Sequence, residues 1–376
     1  SGTATLTSGA LNTSTTFSGA LQNGGGVLGL AKAGTGTLTL SGTNSYSGVT
    51  TINAGILQFD NRGALYNAIP ANWTAANLAV ASGATLALSV GGANQFTDSD
   101  VSSIADLGSA TGGFLSGARL GLDTTGGSFT LGTTVSNPNA GANVLGLTKL
   151  GTGTLTLSGT NTYTGATTVS AGTLQVGGVG SLGSGSYAGA ISVASGATFQ
   201  YASSVNQNLS GNISGAGAIT KDTSSASTLT LSGTNSYTGA TTVSAGTLRA
   251  GSATALGSNS ATTVNAGALL DLAGNNLSAG SLAGAGTVSN SSGTATLTSG
   301  ALNTSTTFSG ALQNGGGVLG LAKAGTGTLA LSGTNSYTGA TTVSAGTLRA
   351  GSATALGSNS ATTVNAGALL DLAGNN

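Results

Sequence analysis

Hydrophobic and polar positions alternate in short runs along this chain, as in Thr37, Leu38, Thr39, Leu40 and again in Thr154, Leu155, Thr156, Leu157. A period of two, with β-branched Thr on one side and Leu on the other, predicts half-buried strands about 4 to 6 residues long. Gly, Ser, Thr and Asn recur too often between the runs for a helical stretch of about 10 residues. The pairs SG, AG, NG and GG that separate them predict corners, since a sharp change of direction often needs a positive φ that glycine adopts at little cost.

The runs belong to a repeat. Residues 231–276 and 331–376 are identical, and residues 1–48 match 292–339 except at Thr39 against Ala330 and Ser47 against Thr338. Inside this long unit a shorter period of 21 residues separates Ala240 from Ala261 and Ala340 from Ala361. Short strands at that period, each able to bury its apolar side only against its neighbours, predict an all-β parallel solenoid of roughly 18 coils of about 20 residues. Leu38, Leu40, Val169, Leu174, Val243, Leu248, Val343 and Leu348 are the expected inward positions. Arg249 falls beside Asp271 and Arg349 beside Asp371 one coil apart, pairs that help fix register.

The same pattern divides the chain. Residues 1–59, 141–276 and 277–376 read as solenoid, the last as one complete repeat unit, and 60–140 as irregular coils or protruding loops within one continuous solenoid. Residues 60–140 hold Trp73, Pro70, Pro138 and the aspartates 60, 98, 100, 106 and 123. Both termini fall inside the pattern, so the chain reads as a window on a longer array, with any targeting segment outside it.

Composition narrows function. Eight Lys and Arg balance eight Asp, and Glu, His, Cys and Met are absent. Without clustered basic residues no nucleic acid or anionic lipid is an expected partner. No apolar run of about 18 residues is present to insert in a membrane. Without His or Cys, a Ser-His-Asp or Cys-His arrangement is impossible. A solenoid polysaccharide lyase would need paired carboxylates, or calcium with a nearby Arg or Lys base, and only Asp60 with Arg62 and Asp123 with Arg119 bring such groups close in sequence. The chain is read as non-enzymatic, with no cofactor.

Four segments share one motif, K-x-G-x-G-T-L-x-L-S-G-x-N-x-Y-x-G-x-T-x-V-x-x-G-x-L. They begin at Lys32, Lys149 and Lys323, and in a degenerate form at Lys221, where DTSSAS replaces the glycine loop. This motif resembles the autotransporter-associated β-strand repeat, also called the passenger-associated transport repeat. The resemblance implies a right-handed parallel β-helix displayed or secreted at a bacterial surface, often as an adhesin.

Three groups of residues are candidate sites. Asn44 with Tyr46, Asn161 with Tyr163, Asn235 with Tyr237 and Asn335 with Tyr337 read either as a sugar platform with its hydrogen-bond partner, or as a turn Asn serving its own backbone beside a Tyr capping the coil edge. Asp98, Asp100 and Asp106 lie in a stretch that loosely resembles a calcium loop. It lacks the Gly at the sixth position and the closing Glu that an EF-hand needs, so it reads as a solvated loop and no metal site is assigned. Tyr66, Trp73 and Phe96 are candidate ligand contacts on a lobe, read also as an aromatic cluster capping irregular coils.

The leading expectation is an extracellular structural or adhesive solenoid: a stalk, matrix fibre or passenger. Its partner would be further copies of the array, added end to end or by continuation, since unpaired strand edges at a solenoid end invite pairing. Glycans and abiotic surfaces are the other partners considered, through a glycan-binding face or, on the Thr-x-Thr rows, an ice-binding plane.

Overall fold

The computed structural model describes residues 2–222, 227–358 and 360–375. Two compact units divide the chain, Ser1–Ser184 and Gly185–Asn376, and each is a stack of short parallel strands; the turns number about 17 in all. The all-β parallel solenoid expected from the two-residue alternation is therefore the fold. The loop that replaces the glycine turn after Lys221 lies at 223–226, outside the described residues.

Stacking puts like residues on like. In the first unit Leu38, Leu57, Leu86, Leu120 and Leu147 form one inward ladder of Cα partners, and Leu40, Phe59, Leu88, Leu122, Lys149 and Val169 form the next. In the second unit Leu229, Leu248, Leu270, Val288 and Leu312 do the same. All eight positions expected to face inward are buried, none more than 6% exposed. Fully burying a side chain of this size contributes about 1.5–3 kcal/mol, and each ladder removes a row of them from water.

Outward rows are polar. On one face of the second unit Thr230, Arg249, Asp271, Ser289 and Gln313 follow one another across the strands. Arg249 and Arg349 meet Asp271 and Asp371 at 3.7 and 3.5 Å, with half-exposed guanidinium groups. Such pairs contribute about 0–1 kcal/mol, which suits a register role. At the corners the backbones pass so closely that a Cβ on Gly325, whose φ is +65°, would run into the carbonyl of Gly300.

The step between stacked partners is not constant. It is 19 residues from Leu38 to Leu57, then 29 from Leu57 to Leu86 and 34 from Leu86 to Leu120. The surplus builds a lobe of three short 3-10 turns, Arg62–Ala64, Tyr66–Ala68 and Pro70–Asn72, and the α-helix Asp98–Ala105, the one α-helix among the described residues. This helix replaces the solvated loop expected around Asp98 and Asp100. Its start is a closed capping box in which Thr97 accepts from the Asp100 amide and the Asp100 carboxylate accepts from the Thr97 amide at 2.9 Å. Two first-turn aspartates suit the helix dipole, and Val101, Ile104 and Ala105 bury its inner side.

Candidate functional site

The repeated motif is a set of internal fastenings. Asn44 Oδ1 accepts from the Leu21 amide at 2.8 Å and its Nδ2 donates to the Ala64 carbonyl at 2.8 Å, so one side chain joins three successive turns. Asn161 joins Val135 to Ser181, Asn235 joins Ile213 to Ala255, and Asn335 joins Leu312 to Ala355 in the same manner. These asparagines therefore serve the turns above and below them, Asn161 also donating to the Gly159 carbonyl of its own turn, and none is left for a ligand.

Their companion tyrosines are also inside. Tyr46, Tyr163, Tyr237 and Tyr337 are at most 1% exposed, and each hydroxyl bonds the Thr four residues on, at 2.7 or 2.8 Å. Neither a sugar platform nor an edge cap is possible for a ring with no solvent face. Burial pushes the phenols of Tyr46, Tyr237 and Tyr337 well up from their ordinary value.

The motif lysines, read at first only as a sequence marker, are core residues. Lys32, Lys149, Lys221 and Lys323 are at most 1% exposed. Each occupies an inward ladder position stacked on Ile52, Val169, Val243 or Val343. The Lys323 ammonium donates to the carbonyls of Ala324, Gly325 and Ala345 at 2.5–3.2 Å, and Lys32 and Lys149 repeat the arrangement on their own corners. Three charge-assisted bonds to the carbonyls converging at the glycine corner explain why a cation is tolerated there. Burial lowers all four lysine pKa values, Lys149 to about 8, with the Asp123 carboxylate pulling the other way in that case.

The lobe holds the three aromatic candidates, but not on its surface. Tyr66, Trp73 and Phe96 are 1%, 5% and 2% exposed. Trp73 and Phe96 pack with ring centroids 5.9 Å apart, the Arg62 guanidinium lies 5.8 Å from the Trp73 ring, and the indole N–H donates to Leu65. Tyr66 packs instead against Tyr46, at 5.0 Å. A ligand has no open ring to stack on, so these residues support the lobe rather than contact a ligand. Helix propensity and aromatic content alone do not separate the two roles.

Tyr66, Asn67 and Ala68 all carry φ values of 50–55°, a left-handed turn without glycine. Each such residue costs roughly 1–2 kcal/mol. The Tyr66 hydroxyl offsets part of this by meeting Thr50 Oγ1 and the carbonyls of Gly48 and Asn77 at 2.7–3.1 Å.

Beside this turn lies an open polar cleft of about 650 Å³, lined by Thr43, Asp60, Arg62, Gly63, Asn94 and Gln95 among others. Arg62 is held by both carboxylate oxygens of Asp100, at 2.8 and 2.9 Å, rather than by its sequence neighbour Asp60. Asp60 Oδ1 accepts from Ser89. Arg119 likewise reaches Thr168, while Asp123 accepts from Gln58 and Thr125. Neither carboxylate–arginine pair suggested by sequence proximity forms. Asp98 and Asp106 accept from Thr133 and Ser136, so the three aspartates of the loosely calcium-like stretch face separate partners.

Stacked parallel ladders, motif asparagines joining three turns and lysine-capped corners define a β-solenoid repeat protein. Four of its segments, residues 30–59, 147–176, 224–250 and 321–350, match the passenger-associated-transport repeat, so the chain carries repeats of the kind found in autotransporter passengers. It is similar to the adhesin BmaC autotransporter of Brucella suis biovar 1 (strain 1330), 47% identical over 92 residues. That match covers 24% of this chain and 3% of the relative. No solved structure matches.

Proposed function

We propose that this chain is part of a non-enzymatic adhesive passenger at a bacterial cell surface, in which solenoid turns supply reach and the lobe on the first unit supplies contact. The observation that carries this reading is the coupling of four passenger-type repeats to an adhesin relative. Two physical features support it. The motif side chains are consumed in holding turns together, which leaves the repeats a scaffold role. The lobe is the departure from that regularity, and irregular segments on rigid scaffolds commonly carry binding. Bacterial exposure of such a chain also agrees with its lack of cysteine.

Microspheres coated with the purified chain test this under flow, over epithelial monolayers and over bare glass. Retention on either surface well above that of albumin-coated spheres is expected. Retention equal to albumin on both would overturn the adhesive reading.

A further inference from the structure

We propose that the cleft beside the left-handed turn is a binding site for a neutral polyhydroxylated ligand, a saccharide unit with a vicinal diol. The proposal rests on the adhesive reading and names the ligand class of its lobe.

Its volume of about 650 Å³ falls in the range of small-ligand clefts, about 300–1,000 Å³. The walls are fixed by bonds that do not use the open space. Asn61 spends its amide on the Ser41 carbonyl and its oxygen on the Ala64 amide, and Arg62 is gripped by Asp100 above the Trp73 ring. Gly63 keeps the floor open, because a Cβ there would stand about 3.1 Å from Thr43 Oγ1 and Asn61 Oδ1. The left-handed turn carries Ala68 into the lining, and backbone strain of this kind concentrates at ligand sites.

Several polar groups of the lining residues have no protein partner among the described residues. Asp60 Oδ2 is such an acceptor and Gln95 Nε2 such a donor, since Gln95 Oε1 is taken by the Gly92 amide. The Thr43 hydroxyl and the Asn94 side-chain amide can each do both, and both residues are exposed, Asn94 with a φ of +59°. The charge pattern selects the ligand. The single cation is neutralised by Asp100, which disfavours phosphate or carboxylate ligands. One carboxylate, Asp60, in the lining of this cleft is a poor seat for a metal ion. A carboxylate acceptor next to amide donors instead matches two adjacent hydroxyls, one donating to Asp60 and one accepting from Asn94. Ala68 and Ala93 offer small apolar surface to a sugar C–H face.

Saturation-transfer NMR on the whole chain tests this, with the methyl glycosides of glucose, galactose, mannose and N-acetylglucosamine and the disaccharides maltose, cellobiose and lactose as probes. At least one probe is expected to receive saturation, with affinity falling at least tenfold in Asp60→Ala and in Asn94→Gly. The latter keeps the positive φ and so preserves the fold even if Asp60→Ala does not. Thr230→Ala, on the second unit, is expected to leave binding unchanged. No transfer to any probe, or equal transfer in Asn94→Gly, overturns the site. Probe binding and the flow assay on the unaltered chain together separate the two proposals. If no probe binds yet spheres of the unaltered chain adhere, the cleft fails and the adhesive reading stands. If a probe binds at the cleft while spheres do not adhere, the reverse holds.

Discussion

Tyr66 shows how one hydroxyl can hold backbone that the residues themselves disfavour. Its three partners lie in two neighbouring turns, and its ring fills space against Tyr46. Removing only the oxygen, in Tyr66→Phe, leaves the Gly48 carbonyl and the Thr50 hydroxyl short of a partner in a buried site, while the Asn77 carbonyl keeps the Thr50 amide. A loss of about 1–3 kcal/mol follows, read as a lower denaturant midpoint at unchanged slope. Asn67→Gly acts on the other side of the same balance. Glycine adopts the left-handed region without penalty, so relief of roughly 1 kcal/mol is expected to raise the midpoint, offset in part by the greater freedom of the unfolded chain. Should Asn67→Gly prove destabilising beyond about 1 kcal/mol, the turn is not strained in the way described. Asn335 is the parallel case in the repeats: Asn335→Ala strands a buried amide at Leu312 and a carbonyl at Ala355. A cost of roughly 2–6 kcal/mol, two unsatisfied groups at about 1–3 each, should appear in the same measurement.

The corner built on each motif lysine is an element in its own right: a glycine turn whose carbonyls converge on an ammonium group that has nowhere else to go. Lys323→Met keeps the aliphatic stem and its place in the ladder above Val343 but removes every donor. The expected result is a destabilised second unit, by more than about 2 kcal/mol, with faster amide exchange at residues 324–327 and 345–346. Equal stability of the two proteins would mean water replaces the ammonium at no cost. Such corners also mark the limit of what sequence pattern reveals. Strand positions were legible because Thr and Leu alternate with a period of two, and the paired Arg249 and Asp271 followed from coil spacing alone. The lysines were not, because a charged residue beside glycines reads as solvent-facing until the carbonyl cage is seen. The helix at Asp98–Ala105 was hidden for a related reason: Thr97 and Asp100 form a capping box, yet aspartates at alternate positions look like a loop. In the lobe, the polar cleft depends on which side chains are already spent, as Arg62 is on Asp100. Long-range pairing of that kind leaves no local signal.

At the scale of the molecule, stability is a sum of turn-on-turn interfaces with few groups free to titrate, and this makes its alkaline behaviour specific. All seven tyrosines are at most 1% exposed. Burial raises the pKa of Tyr46, Tyr66, Tyr201, Tyr237 and Tyr337. A phenol whose folded pKa lies above its unfolded one contributes stability that is complete below about pH 10 and lost as pH rises beyond it. The lysines carry the opposite sign. With Lys149 lowered to about 8, the unfolded chain binds more protons between pH 8 and 10.5, so stability rises with pH across that window. Together they predict an unfolding free energy that climbs gently from pH 8 towards 10 and then drops, with tyrosinate absorbance appearing in one step with loss of β-sheet circular dichroism. Gradual tyrosinate formation near pH 10 in a protein that stays folded would contradict the burial described here. The interfaces themselves can be tested through the internal repeat. Val264 and Leu272 are fully buried, whereas their copies Val364 and Leu372 are 42% and 48% exposed. The difference is the turn built by residues 277–291, which covers the first pair. Appending LSAGSLAGAGTVSNS after Asn376 should therefore recreate that cover on the second pair and raise the thermal midpoint. An unchanged midpoint would show that this turn needs the strand Thr294–Ser299 above it before it can order, which would make the stable unit two turns rather than one.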